Sequence, residues 1–161
     1  MGRTLIVYTS KYGCTEKAAL LLKARLDGAE AVNLKSAKVP ALTSYDTVIL
    51  GGSIYFGKIR KEMVQYTAKH EQELSTKRIG LFICAGMRGE QAEQELKQAY
   101  PESLNKIAVT RVNLGDEIYP EKLSFMDKWV VRMVRGKGMG AAGGLSMDQL
   151  DRFARAMTGS G

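Results

Sequence analysis

The stretch Arg3-Thr4-Leu5-Ile6-Val7-Tyr8-Thr9-Ser10-Lys11-Tyr12-Gly13-Cys14-Thr15 decides how the chain is read. Leu5 to Tyr8 form an unbroken apolar run, the pattern of a strand buried on both faces and hence of a parallel sheet. A polar turn follows at once. From Thr15 to Leu26 the apolar residues Ala18, Ala19, Leu21, Leu22 and Leu26 recur at helical spacing, and Gly28 stands as a stop. A helix that starts directly after such a turn presents N–H groups and a partial positive charge, so an anion can sit there. Ser10 and Thr15 supply hydroxyls, Gly13 lets the backbone approach closely, and Lys11 adds a full charge. The chemistry suits a phosphomonoester. A GxxxxGK[ST] loop needs a Lys-Ser or Lys-Thr pair at the helix start and a GxGxxG loop needs three glycines; the stretch has neither. Taken alone, the same residues serve equally well as a turn in which Ser and Thr cap a helix.

The alternation of apolar run and helical stretch repeats along the chain. Ala31 to Leu34 reads as a second strand, and Asp46 to Gly52 as a third that ends in a glycine pair. Glu62 to Glu73 reads as a polar helix with Met63 and Tyr66 inward, and Arg78 to Ala85 as a fourth strand. Gln91 to Tyr100 is a helix stopped by Pro101, Ile107 to Leu114 a fifth strand, and Ser146 to Met157 a last helix with Ser146 and Gln149 as a capping box. Strands alternating with helices in this way predict an α/β fold with a doubly wound parallel sheet. Ligands of such sheets lie beyond the carboxyl ends of the strands, where the strand order reverses. The loops that matter are therefore Ser10 to Cys14, Ser53 to Lys58 and Ala85 to Glu90. Gly115 to Leu145 is an insertion far longer than the usual connection of 2–6 residues.

With these residues in place the chain resembles the flavodoxin family, whose phosphate loop has the form [ST]-x-x-G-x-T directly after the first strand. Ser10, Gly13 and Thr15 fill those positions. Gly51-Gly52-Ser53-Ile54-Tyr55-Phe56-Gly57 resembles the family's second loop, which lays an aromatic ring on an isoalloxazine, and Cys84-Ala85-Gly86-Met87-Arg88-Gly89 occupies the place of the third. The resemblance covers essentially the whole chain. It implies a five-stranded sheet of order 2-1-3-4-5, a helical insertion before the last helix, and FMN as cofactor. The residues it assigns to FMN are Thr9, Ser10, Lys11, Tyr12, Gly13, Cys14, Thr15, Ser53, Ile54, Tyr55, Phe56, Gly57, Ala85, Gly86, Met87 and Arg88. Tyr55 and Phe56 both remain open as the stacking ring.

Composition narrows the functional classes. The 161 residues fit one domain, 1–161, and 45% apolar with 25% charged residues is ordinary for a packed fold. The apolar run at the N-terminus is too short for a signal peptide, and no stretch approaches the roughly 18 apolar residues of a membrane span, so a cytoplasmic location is expected. Cys14 and Cys84 lack CxxC or metal-ligand spacing, and with a single histidine, His70, no metal centre is expected. Cys14 stands where a helix dipole lowers a thiol pKa, but no histidine lies near it in sequence. His70, in Lys69-His70-Glu71, reads as part of a solvated helix face.

The formal charge of +7 predicts attraction to anionic partners. It departs from the acidic character of flavodoxin electron carriers. The chain is also similar to the menaquinone-dependent protoporphyrinogen dehydrogenases, flavodoxin-like FMN proteins of the inner membrane face. Lys11 falls where that family has a basic residue in the phosphate loop, Ser53-Ile54 with an aromatic before Gly57 resembles its second loop, and Tyr119-Pro120 followed by Asp127-Lys128-Trp129-Val130-Val131-Arg132 resembles its insertion helix. Phe125, Met126, Trp129, Val130, Met133 and Val134 share one helical face, with Lys128, Arg132 and Arg135 toward the rim. That face suits a membrane surface, an anionic porphyrinogen, or packing on the chain's own domain. The acidic run Glu90 to Glu95 departs from the basic third loop of that family, and the glycine-rich Gly136 to Gly144 reads as a mobile loop able to act as a lid. The functions in contention are an FMN electron carrier docking on a redox protein, and an FMN enzyme passing electrons from protoporphyrinogen to a quinone. A nucleic-acid-binding domain is disfavoured, because no motif of that class is present.

Overall fold

The computed structural model describes residues 3–10, 13–55, 57–86, 89–116 and 144–159. The apolar runs become the strands of one sheet. They are β1 (Thr4–Thr9), β2 (Glu30–Asn33), β3 (Thr47–Tyr55), β5 (Arg78–Cys84) and β6 (Thr110–Asn113), with the short β4 (Lys58–Ile59) turned back on β3. All main pairings are parallel, in the spatial order β2-β1-β3-β5-β6. Leaving β4 aside, that is the order 2-1-3-4-5 expected from the resemblance. Helices α1 (Cys14–Arg25), α2 (Lys61–Lys69), α3 (Glu71–Leu74), α4 (Gly89–Ala99), α5 (Glu102–Ile107) and α6 (Met147–Met157) complete the described elements.

Strand alternation splits the core between the two faces. Ile6, Tyr8, Ile49, Phe82 and Cys84 pack on α1 and α6, whereas Leu5, Val7, Val48, Leu50, Leu81 and Ile83 pack on α2 to α5. Each face is covered by helices, which is why the strands read as continuous apolar runs.

Four local readings need correction. The third strand does not end at its glycine pair but runs on to Tyr55, because Gly51 and Gly52 leave room for the Phe82 ring on one face and the Ile59 side chain on the other. The helix expected over Glu62 to Glu73 breaks at His70 (φ −110°, ψ 16°), and the hydroxyls of Ser75 and Thr76 donate to the Glu71 and Glu73 carbonyls to end α3. His70 is half-buried with its ring 4.6 Å from that of Tyr66, rather than on a solvated face. Pro101 does not only stop α4. It also starts α5, which takes Ile107 out of the expected fifth strand and buries Leu104; Pro at a helix start costs no intrahelical bond.

The capping box before the last helix is half made. Ser146 Oγ accepts from Gln149 N–H at 3.2 Å, while Ser146 N–H donates to the Leu114 carbonyl at 2.8 Å. Ser146→Ala is expected to lower the unfolding free energy by about 1 kcal/mol, read from a urea titration at constant slope. The strands β7 (Gly115–Asp116) and β8 (Gly144–Leu145) pair antiparallel at the base of the insertion. The insertion residues assigned to a partner surface, Lys128, Trp129, Arg132 and Arg135, lie outside the described residues, as does the glycine-rich stretch before Gly144.

Candidate functional site

β1 and β5 end almost level on either side of β3, with Thr9 opposite Gly52 and Cys84 opposite Ser53, and β3 runs on beyond them to Tyr55. β2 flanks β1 on one side and β3 on the other, so the order reverses between β1 and β3 and their loops open at that point.

Ser10 and Gly13 close the first loop. Gly13 N–H donates to Ser10 Oγ at 2.9 Å, and the Gly13 carbonyl accepts from Lys17 N–H at 3.0 Å to begin α1. Gly13 holds φ 94° and ψ −9°, a conformation that L side chains adopt at a cost, and makes no side-chain cap to the helix. The positive end of α1 is thus not neutralised by a capping group at Gly13. The carboxylate of the first turn, Glu16, is engaged instead by Tyr8, whose hydroxyl donates to Glu16 Oε2 at 3.1 Å. Burial, and after it this hydrogen bond and the Glu16 charge, push the Tyr8 hydroxyl up to about 12.

Thr15 and Ser53 meet across the reversal point. The Thr15 side chain is fully buried and its Oγ1 lies 2.5 Å from Ser53 Oγ, a hydrogen bond spanning 38 residues of sequence in which either hydroxyl can donate. The pair locks the first turn of α1 to the end of β3. Cys14 and Cys84 are both buried and are not joined in a disulfide. Thr9 points to the opposite face, where its buried Oγ1 has no hydrogen-bond partner among the described residues and a Cβ on Gly52 would stand 3.1 Å away.

The second loop is a tight hairpin. Ile54 pairs with Ile59 and Tyr55 with Lys58, and Gly57 turns the chain at φ 77°. Ile54, Tyr55 and Gly57 are half-buried. In the third loop Ala85 N–H donates to Asn113 Oδ1 at 3.1 Å, Asn113 Nδ2 donates to the Ala85 carbonyl at 3.3 Å, and Gly115 N–H donates to the same Oδ1 at 3.0 Å. Asn113 therefore fixes both Ala85 and the entry to the insertion; Gly86 follows, half-buried. Lys11, Tyr12, Phe56, Met87 and Arg88 lie outside the described residues.

Two residues at this end of the sheet escape a sequence reading. Asn113 carries no motif. Glu95 is hidden in the acidic run, although its spacing from Ala92 and Ala99 puts it on the inward stripe of α4. It is 5% exposed, its Oε1 has no hydrogen-bond partner among the described residues, and Oε2 receives only the long 3.5 Å contact from Gln91 Nε2. Burial raises its carboxyl above the ordinary glutamate range, with the Gln91 contact opposing. Because the folded state holds this proton more tightly than the unfolded state, the group costs nothing below the ordinary glutamate range. It becomes destabilising as pH rises from there to the raised folded pKa. Glu95→Gln is expected to raise the stability of the apoprotein at pH 8 by about 1 kcal/mol and to leave it unchanged near pH 4, compared by thermal denaturation at the two pH values.

A flavodoxin-domain profile matches residues 5–141. The chain belongs to the flavodoxin domain family. Among solved structures, this flavodoxin domain is similar to a short-chain flavodoxin associated with a PDU bacterial microcompartment, with a TM-score of 0.67 and 15% identity over 99% of each chain. It is similar to the Fusobacterium nucleatum flavodoxin bound to flavin mononucleotide, with a TM-score of 0.56 and 16% identity over 99% of this chain and 97% of that one. It is also similar to rubredoxin oxygen:oxidoreductase from Desulfovibrio gigas, with a TM-score of 0.56 and 18% identity over 98% of this chain but only 35% of that protein. At these identities the likeness is one of fold. No curated protein sequence matches the chain significantly. Among the described residues, no helix is long and apolar enough to cross a membrane.

Proposed function

We propose that the chain binds one FMN at the carboxyl ends of β1, β3 and β5 and passes electrons through it to a redox partner. The observation that carries this reading is the Thr15–Ser53 hydroxyl pair beside the Ser10-to-Gly13 turn, which joins the phosphate loop to the hairpin loop at the reversal point of the sheet. The residues fit the group. The start of α1, where Gly13 supplies no side-chain cap, and the Ser10 hydroxyl would offer donors to a phosphate dianion, with Lys11 adding charge, while the fully buried Thr15 would hold the loop through Ser53. Tyr55 or Phe56 would cover the ring, and backbone groups at Ser53, Gly57 and Gly86 would meet its polar edge. Bound flavin supplies one-electron chemistry; the protein supplies position, exclusion of water and field. Here Asn113 holds the Ala85 peptide in place, and Gly13 and Ser10 hold the anion loop.

The test is direct. Purified protein, as isolated or after incubation with FMN, is expected to show a flavin absorption spectrum and to release FMN on denaturation. A colourless protein that takes up no FMN after unfolding and renaturation overturns the reading. The net charge of +7 should also raise the potential of the second electron above that of acidic flavodoxins, since the fully reduced cofactor is anionic. One charge about 8 Å away at an effective dielectric of about 20 contributes about 2 kcal/mol, or about 90 mV. Potentiometric titration checks this, and a potential as low as that of the acidic carriers would refute it.

A second reading is that the chain oxidises protoporphyrinogen and passes the electrons to a quinone, in contact with the inner membrane face. It is favoured by the basic, aromatic sequence around Lys128, Trp129, Arg132 and Arg135 and by the exposed Lys58 and Lys61 beside the hairpin. Turnover of protoporphyrinogen with a quinone acceptor separates enzyme from carrier.

A further inference from the structure

Among the described residues, the only hydrogen-bond contact to the Glu95 carboxylate is the long one from Gln91 Nε2 at 3.5 Å. An ionisable carboxyl almost never stays buried without a hydrogen-bonded or charged partner, because its charged form is poorly solvated there. Glu95 is 5% exposed with an unpartnered Oε1 among the described residues, and Oε2 lies 3.8 Å from where a Cβ on Gly57 would stand. The carboxyl is therefore pressed against the tip of the hairpin whose backbone, on the FMN reading, meets the polar edge of the flavin.

Among the described residues, its surroundings supply little to hold a charge. α4 packs on β4, β5 and β6. On β4 the charged group is Lys58, exposed to solvent; Arg60 follows it and pairs with Glu62 at 3.5 Å. On β5 the titratable groups are the buried thiol of Cys84 and, at the other end of the strand, Arg78, which donates to the Ala156 and Met157 carbonyls. On β6 it is Arg111, engaged with Glu93 of α4 at 3.1 Å. From α4 itself, Gln91 is the neighbour in contact.

We propose that Glu95 is the proton-holding group of this site, taking up one proton beneath the Tyr55-to-Lys58 hairpin when the cofactor accepts its second electron. The inference rests on the FMN reading. Two negative charges close together in a poorly hydrated site oppose each other's ionisation, so an electron added to the flavin raises the affinity of the neighbouring carboxylate for a proton. The balance is simple. One electron passes from a low-potential redox protein to the flavin, one proton passes from solvent to a Glu95 carboxylate oxygen, one O–H bond forms, and no bond in the protein breaks. The direction in which burial shifts this carboxyl agrees, since it already favours the neutral form.

The test uses the FMN-loaded full-length protein and its Glu95→Gln variant, titrated potentiometrically with mediators and dithionite from pH 5.5 to 8.5. In the parent protein, the potential of the second electron is expected to fall as pH rises, approaching tenfold in the reduction equilibrium per pH unit, or about 59 mV for one electron. In Glu95→Gln it is expected to stay constant over the same window. A second readout is the side-chain carboxyl signal of Glu95 in carbon NMR, which should titrate at higher pH in the reduced than in the oxidised protein. A pH-independent potential in the parent overturns the proposal. An equal slope in both proteins does so too, because the proton then goes to the cofactor's own ring nitrogen. If neither protein takes up FMN, the cofactor reading falls and takes the proposal with it, an outcome visible in the absorption spectrum before any titration.

Discussion

Gly51→Ala is expected to lower the unfolding free energy by about 3 kcal/mol, the upper part of the range for overpacking a well-filled core. An added Cβ would stand 2.0 Å from Phe82 Cζ and 2.3 Å from Cε1, a distance that no real contact tolerates. Neither side can give way cheaply. Gly51 is held in the middle of the sheet between Tyr8 and Phe82, and the Phe82 ring is fully buried with its edge against Phe153 at 5.9 Å. A flexible side chain could swing aside, but an aromatic ring wedged between a sheet and α6 has only its two χ angles. Domains are stable by about 5–15 kcal/mol, so the loss should appear as a large drop in the urea midpoint at unchanged slope. The double variant Gly51→Ala, Phe82→Leu should recover part of it, giving a coupling energy that a distant pair would not show. An unchanged midpoint in Gly51→Ala would mean that the ring does not lie over this glycine.

Gly13→Val is expected to weaken FMN binding by about 100-fold or more, equivalent to about 3 kcal/mol. A β-branched residue at φ 94° is a strained outlier, and relieving the strain must move the peptide whose N–H meets Ser10 Oγ and whose carbonyl accepts from Lys17. The same motion displaces the first amides of α1, which on the proposed reading would be the donors to the phosphate. Riboflavin, which lacks the phosphate, provides the control. Fluorescence titration should show that its affinity falls by less than about tenfold, so that the preference for FMN over riboflavin largely disappears. Equal losses for the two ligands would mean that the turn acts only by holding the fold together.

The elements legible in the sequence are those whose own neighbours along the chain specify them. Leu5 to Tyr8 and Ile79 to Cys84 are buried on both faces, so every residue in the run is apolar and a strand is the reading that fits. α6 was legible at both ends, since Ser146 sits one residue before its first turn and the apolar stripe of Leu150, Phe153, Ala154 and Met157 is regular. The turn from Ser10 to Thr15 was readable for the same reason: the demand for a hydroxyl, a glycine and a helix start is met within six consecutive residues.

What failed to show in the sequence depends on groups far apart along it. The glycine pair at 51 and 52 looks like the end of a strand until Phe82 and Ile59 are placed over it. Asn113 looks like any polar residue at a strand end until its side chain meets the Ala85 peptide, and the acidic run of α4 conceals that Glu95 alone among its glutamates is buried. The order of strand, turn and helix could be read from the chain alone, because hydrophobic periodicity and backbone conformational preference act over a few residues. Only the tertiary structure decided which hydroxyl meets which, where the hairpin folds back, and which carboxyl loses its water, because those depend on strand register and on the layering of helices over the sheet.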